Sequence, residues 1–481
     1  MKFKDMELVG AGAAIFLGYY ITDDWIGAAA IAVLWLSVKL VSTHDHLFVL
    51  PVAIAFHWMQ TTLGIFYKAF TGREVQAIYG SDYRPMVLMG LGCVLALAVG
   101  IKLGMMLRKA PDADETRPDF AFSFIQLAVA YVVSIVMESS LLAIAPDYPT
   151  FRAIIATIDT ARLGILFLIL RRLCAPPPRW LLLAAVVIFE VGLGITGFFA
   201  GFREPIVLGV LAVLEVFDSR NRQHWVVVAT GLVLGATMGL VWMGIRGVYR
   251  SEFSSIDKFA DSRSARVDRV RELSTSFFSG GADEIWTTTD ALVDRMWTIY
   301  YPALAVVRVP KILPHTDGAI FGAALVHIVT PRIFFPNKPE LMSDSDMVRK
   351  YSGVSVAGRE HGTSIAFGYA AESYIDFGVP WMFAPVLAFG VFVGFCYALF
   401  RQLIWHRELF VAFATVTFWL SVYIFERSWA TTLGVTVGFM VYLGAPIVLL
   451  DRFLLVQFAA KQAAKTQTPE TLFPASHQHR A

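Results

Sequence analysis

The chain is poor in charge. Of 481 residues, 16% are Asp, Glu, Lys or Arg, against about 25% in a soluble domain, which excludes an ordinary water-facing surface over most of its length. Cysteine is scarce too. Cys93, Cys174 and Cys396 lie within or beside apolar runs, with neither the number nor the spacing of a disulfide framework or a thiolate metal site. No Walker loop, zinc-ligand spacing, Gly-x-Ser-x-Gly elbow, or quinone or haem signature occurs, so the motif-borne chemistries are unrepresented. Internal repeats of the inverted-repeat transporter kind are not visible. No convincing signal-peptide cleavage site follows Met1–Asp5, and the apolar run there reads as a first span. The formal net charge of +2 is uninformative in bulk, and no nucleic-acid partner is expected.

Apolar length is what the chain has. It is 57% hydrophobic, and the runs 86–107, 225–242, 380–400 and 433–450 approach the ~20 residues that cross a hydrocarbon core as a helix. The expected fold is therefore all-α, a polytopic membrane protein of about twelve transmembrane helices. Hydropathy places them near 6–22, 25–42, 47–66, 85–107, 119–143, 153–170, 180–200, 204–218, 224–244, 379–400, 408–426 and 431–450. Cations then cluster on alternate connections: Lys2 and Lys4, Arg108 to Arg117, Arg171 to Arg179, Arg220 and Arg222, Arg401 and Arg407, and Arg452 to Lys465. By the positive-inside bias both termini are cytoplasmic, and in an inner membrane the opposite face is periplasmic. Four segments result: helices over 1–244, a large periplasmic loop over 245–362, further helices over 363–450, and a cytoplasmic tail over 451–481.

The loop is not linker. Residues 256–278 space Phe259, Val267, Val270, Leu273 and Phe277 as an interfacial amphipathic helix. Residues 290–309 read as a more apolar helix containing Pro302, and 317–329 as an apolar piece too short to span, re-entrant or packed on the surface. "VTPRIFFPNKPELM" (329–342) follows, with Arg332 and Lys338 among Pro331, Pro336 and Pro339. A proline-stiffened loop bearing two cations suits a fixed phosphate site, although contact with lipid phosphates is the blander alternative. Arg203, in the short turn "GFRE", and Arg295, on an apolar helix beside Asp294, are interfacial cations whose ordinary explanation is snorkelling or pairing. In "GREHGTSIAFGYAAESYIDFGVP" (358–380), Arg359, Glu360 and His361 precede a short helix in which Glu372 and Asp376 share a face. An apolar setting demands a partner for Glu372, an arginine being the natural one. His361 titrates near neutrality and suits acid–base work, though a loop histidine is commonly nothing more. "FERSWATT" (425–432) ends a span with Glu426 and Arg427, a common interfacial anchor. Arginines from four regions thus fall on one side of the membrane with a few carboxylates and a histidine, which asks for an anionic substrate there.

Two stretches resemble a known family. "HIVTPRIFFPNKP" (327–339) is similar to the Pro-Arg…Pro-x-Lys-Pro segment of the Wzy-type oligosaccharide repeat unit polymerases, with Phe335 where tryptophan is commoner. "GTSIAFGYAAESYIDFG" (362–378) resembles that family's Glu-x-Tyr-x-(Asn/Asp)-Phe-Gly segment, and "GFREPIVLGVLAVL" (201–214) its Arg-bearing turn. The resemblance implies a GT-C-like membrane glycosyltransferase acting at the periplasmic face. It would move a growing glycan from undecaprenyl diphosphate onto a new lipid-linked repeat unit, without metal or other cofactor. The expected partners are undecaprenyl-diphosphate-linked oligosaccharide, membrane lipids, and a chain-length regulator with export proteins. Arg203, Arg332, Lys338 and Glu372 stand at matching positions; Arg295 and Arg359 join them as diphosphate ligands from their place in the loop, and His361 joins Glu372 as candidate base. An O-antigen ligase, which uses the same donor, is the near alternative. A transporter, for which His57, Gln60, Glu138 and Glu190 would be the in-span candidates, and a non-catalytic assembly subunit are the distant ones.

Overall fold

The computed structural model describes residues 3–43, 47–74, 83–108, 121–144, 160–195, 203–253, 263–331, 334, 335, 337–358 and 364–466. Among them every regular element is helical. In chain order these are α1 (Phe3–Thr22), α2 (Trp25–Val41), α3 (Val49–Thr71), α4 (Arg84–Met106), α5 (Phe124–Ile144), α6 (Ala161–Cys174), α7 (Trp180–Ile195), α8 (Arg203–Glu215) and α9 (Arg222–Phe253). Next come α10 (Arg263–Ser279), α11 (Gly281–Met296), α12 (Tyr300–Arg308), α13 (Ala319–Val329), α14 (Asp344–Ser352) and α15 (Tyr369–Phe377). The last are α16 (Phe383–Leu403), α17 (Arg407–Val422) and α18 (Trp429–Gly438), which runs through a π-helical turn (Phe439–Gly444) into α19 (Ala445–Thr466). Each of the twelve hydropathy segments holds a helix. Five stretches are long and apolar enough to cross a hydrocarbon core: Val49–Thr71, Arg84–Met106, Arg222–Tyr249, Phe383–Leu403 and Trp429–Gln457.

The tightest crossing joins α4 to α16, and it is built on absence of side chain. Gly100 and Gly104 on one helix face Gly390 and Gly394 on the other. A Cβ added at Gly104 would lie 2.1 Å from the Val391 carbonyl oxygen, and one at Gly394 would lie 2.0 Å from that of Ile101. Paired small residues one turn apart let two backbones approach, which is how helices associate where water provides no hydrophobic drive.

Polar contacts between elements gather at two ends. At one, Arg171 pairs with Glu215 at 2.5 Å, Arg172 with Glu408 at 2.6 Å, and Arg108 with Gln402 at 3.0 Å. Asp451 there accepts from the backbone N–H groups of Trp405 and His406. At the other, Arg84 pairs with Asp24, Arg73 with Asp290, and Arg295 with Glu426. Each pair joins connections that the topology expected from the sequence puts on one side.

The loop elements differ from expectation at one point. In place of a single helix over 290–309, the chain breaks at 297–299. The Trp297 indole N–H donates to the Thr61 carbonyl at 2.8 Å and the Thr298 N–H to that of Gln60 at 3.2 Å. The break pins the loop to α3, and Pro302 then falls in the first turn of α12, where its missing N–H costs nothing. Residues 263–279 form the expected helix; 256–262 lie outside the described residues.

Candidate anion site around Tyr423

The break between α17 and α18 leaves backbone groups that neither helix satisfies, and side chains from distant segments take them up. Gln60, buried on α3, donates its Nε2 to the Tyr423 carbonyl at 2.8 Å and accepts the Phe425 N–H on Oε1 at 3.0 Å. Arg427 turns back so that Nη1 donates to the Leu420 carbonyl at 2.6 Å. The Tyr369 N–H donates to the Arg427 carbonyl at 2.8 Å. That approach needs Gly368, whose φ is +89° and where a Cβ would lie 2.4 Å from the Phe425 carbonyl oxygen.

Two carboxylates on α15 complete the support, and they diverge although they share a helix face. Glu372 Oε2 accepts the Trp429 N–H at 2.8 Å, at the start of α18. Asp376 accepts the Ile320 and Phe321 N–H groups at 3.0 and 2.8 Å, at the start of α13, together with the Thr316 hydroxyl. Each neutralises orphan donors at the positive end of a helix. Among the described residues the partner of Glu372 is thus a backbone amide rather than an arginine. Burial pushes its carboxyl up to about 8, with Asp344 and Asp376 adding to the rise and the Trp429 N–H opposing it. At neutral pH it is mostly protonated.

This scaffold displays cations. Tyr423 stacks on Trp419 with ring centroids 4.6 Å apart. The Arg203 guanidinium lies 5.9 Å from the Tyr423 ring and that of Arg427 5.7 Å from it, within the range of cation–π attraction. Arg203 also reaches the Tyr423 hydroxyl and Glu204, both at 3.4 Å. Arg295 makes two parallel bonds to Glu426 at 2.5 and 2.6 Å. Arg203 is close enough to Arg295 and to Arg427 for mutual repulsion. Among the described residues three guanidiniums therefore lie near two carboxylates, Glu204 and Glu426. Burial, with the Arg203 charge beside it, lowers Arg427 below the ordinary guanidinium value, a cation that a bound anion would relieve. The Arg203 and Arg295 side chains keep 58% and 52% of their surface exposed, so the cluster is open to a ligand.

The structure thus brings together Arg203 and Arg295, 92 positions apart in sequence, and adds Arg427 and Tyr423. Lys338 Nζ donates to the His327 carbonyl at 2.8 Å. Arg332, Arg359 and His361 lie outside the described residues. Of the in-span polar residues, Glu190 pairs with Arg162 at 2.7 Å and His57 Nε2 lies 2.6 Å from the Tyr369 hydroxyl; the Glu138 side chain is outside the description. Tyr423 had one signal in sequence, its position four residues before Arg427 at the end of an apolar run. Gln60 was visible as a polar side chain in a span, but its target was not.

A family model described as a domain of unknown function (DUF8712) matches residues 177–404. The match takes in Arg203, Arg295, Lys338 and Glu372 and stops short of the 423–429 segment. No curated protein and no solved structure matches the chain.

Proposed function

We propose that this protein is a multi-pass inner-membrane glycosyltransferase, a polysaccharide polymerase that carries a growing glycan from undecaprenyl diphosphate to a new lipid-linked repeat unit at the periplasmic face. The observation that carries the reading is the pair Arg203 and Arg427 at the Tyr423 ring with Arg295 beside them on Glu426, drawn from three distant segments and, among the described residues, holding more cations than carboxylates. Guanidinium forks match phosphate oxygens, and a diphosphate held there places its sugar at the membrane surface. The likeness of 327–339 and 362–378 to repeat unit polymerases supports the same class of substrate.

In the transfer, the acceptor hydroxyl oxygen bonds to the anomeric carbon while that carbon's bond to the diphosphate oxygen breaks. Charge grows on the departing oxygen, and fixed guanidiniums stabilise it without a metal in this proposal. The acceptor proton passes to a base. Glu372 is mostly protonated at neutral pH and bound to Trp429, so its geometry suits a positioning role, holding the strand of chain that bears Glu426 and Arg427. His361 keeps the base role, and Arg332 and Arg359 complete the anion site in this reading. Both termini are cytoplasmic, which sets the cluster on the periplasmic side.

The test is reconstitution with undecaprenyl-diphosphate-linked repeat units and separation of the products by size, with and without EDTA. A ladder of multimers that survives EDTA and disappears in Arg203→Ala is the expected result. Intact protein with authentic substrate and no ladder overturns the polymerase reading; transfer to a lipid A core instead would identify a ligase.

A further inference from the structure

Helix α13 is apolar on every side: of "AIFGAALVHIV", His327 is the one polar side chain. One flank packs inward, with the Phe321 ring 4.9 Å from that of Trp429 and Ala324 buried. The other is bare. Val326 and Val329 are 61% and 72% exposed, and beyond the helix Phe334 is 76% exposed. A helix apolar all round belongs in a protein core or in lipid, and this one lies half outside the protein.

We infer that α13 and the Phe334–Phe335 step after it sit in the acyl-chain region of one leaflet, as a half-membrane element on the same side as the arginine cluster. Side chains take up part of what the ends of its backbone leave open. At the start, Asp376 takes the Ile320 and Phe321 N–H groups. At the end, the Thr330 hydroxyl donates to the Val326 carbonyl and Lys338 Nζ to that of His327. These four are groups that water would satisfy at the surface of a soluble protein, and here side chains hold them, as the hydrocarbon region favours. Continuity points to the same occupant: the inner flank packs on α18, the start of a stretch long and apolar enough to span. Eleven residues rise only about 16 Å, roughly half of a ~30 Å hydrocarbon core, so the element enters one leaflet and returns. Lys338 Nζ then takes one of the last carbonyls of the helix.

The inference rests on the membrane reading and is independent of the transfer chemistry. Cys93, Cys174 and Cys396 are all buried, so a nitroxide on one introduced cysteine reports that site. Val326→Cys and Phe334→Cys are compared in proteoliposomes with Asp283→Cys, an exposed polar site on α11, and with Val233→Cys, exposed on the candidate span of α9. Collision with oxygen is measured against collision with a water-soluble nickel chelate. The expected result is an oxygen-to-nickel ratio at positions 326 and 334 severalfold above that at 283 and close to that at 233. Nickel access at 326 and 334 with oxygen preference at 233 overturns the inference and spares the membrane reading. Exclusion of both reagents at 326 and 334 overturns it in favour of a protein cover, and nickel access at 233 as well removes both readings together.

Discussion

The two ends of the helical bundle handle arginine differently. At the end formed by 108, 171–172, 215, 402–408 and 451, Arg171 holds Glu215, which also feels the Arg407 charge, Arg172 holds Glu408, and Arg108 holds the neutral Gln402. At the other, Arg84 and Arg73 likewise hold Asp24 and Asp290, whereas Arg203, Arg295 and Arg427 lie near two carboxylates among the described residues, with the Tyr423 ring beneath Arg203 and Arg427. A cation that exists to hold helices together is most stable with a matched anion, because a charge left short of counter-charge is destabilising. Repulsion of Arg203 by Arg295 and by Arg427 is what an anion at the proposed site would relieve. The protein's own architecture supplies the reference against which that excess is read.

The sharpest way to break this comparison is to remove one arginine at each end. Arg203→Ala should lower glycan transfer about 10²-fold or more, the usual cost of losing one donor to developing charge, while the protein remains folded and membrane-inserted. Arg172→Ala should lower transfer only as far as it lowers the amount of folded protein. Equal loss of specific activity in both variants would erase the distinction between the ends. Arg427→Ala is less clean, since Arg427 also closes the end of α17 through Leu420.

Stability gives the reciprocal measurement. Arg172→Ala leaves the buried Glu408 without its guanidinium and should cost about 2 kcal/mol, less than the ~3–5 kcal/mol of a fully buried pair because Arg172 is partly exposed and Glu408 keeps the Phe122 N–H. Arg203→Ala should be close to neutral, because it removes the repulsion from Arg295 and Arg427 together with the contacts to Glu204 and Tyr423. Chemical unfolding in detergent micelles, followed by intrinsic fluorescence, checks both. A larger destabilisation by Arg203→Ala would make it a structural cation.

Which of these features the sequence carried follows from how local they are. Helix positions were legible because apolar length is a property of twenty adjacent residues, and the amphipathic stretch 263–279 because its period is local. The break at 297–299 was not, since Trp297 and Thr298 are held there by carbonyls of α3 more than 230 positions away. Arg203 and Arg295 stood out as cations in apolar surroundings. Glu426 and Arg427 looked like an ordinary anchor, because nothing near them announces that Gln60, Tyr369 and Glu372 shape their backbone. The shared face of Glu372 and Asp376 was legible, and their divergence to two helix starts required the fold.

Glu372 sharpens the comparison through pH. Its carboxyl in the folded protein is raised by burial from the ordinary carboxylate range to about 8. Folding therefore favours the protonated form, and the stability tied to it is fully present below the unfolded value and lost as pH rises through about 8. The unfolding midpoint should fall between pH 6 and pH 9. Glu372→Gln keeps an oxygen to accept the Trp429 N–H and should flatten that slope while leaving most transfer intact. Abolished transfer in a stable Glu372→Gln protein would restore Glu372 as the base.

The smallest expected effect belongs to Lys338, which the sequence motif places at the diphosphate and whose ammonium bonds the His327 carbonyl. Lys338→Ala removes one charge-assisted bond at the end of α13, an effect of about 1–2 kcal/mol on local opening rather than on global stability. Hydrogen exchange at the amides of 326–330 should rise, with transfer reduced only severalfold. Loss of transfer comparable to that of Arg203→Ala, with exchange at 326–330 unchanged, would return Lys338 to the anion site. The cluster of excess cations would then extend past Tyr423 into the proline-stiffened segment.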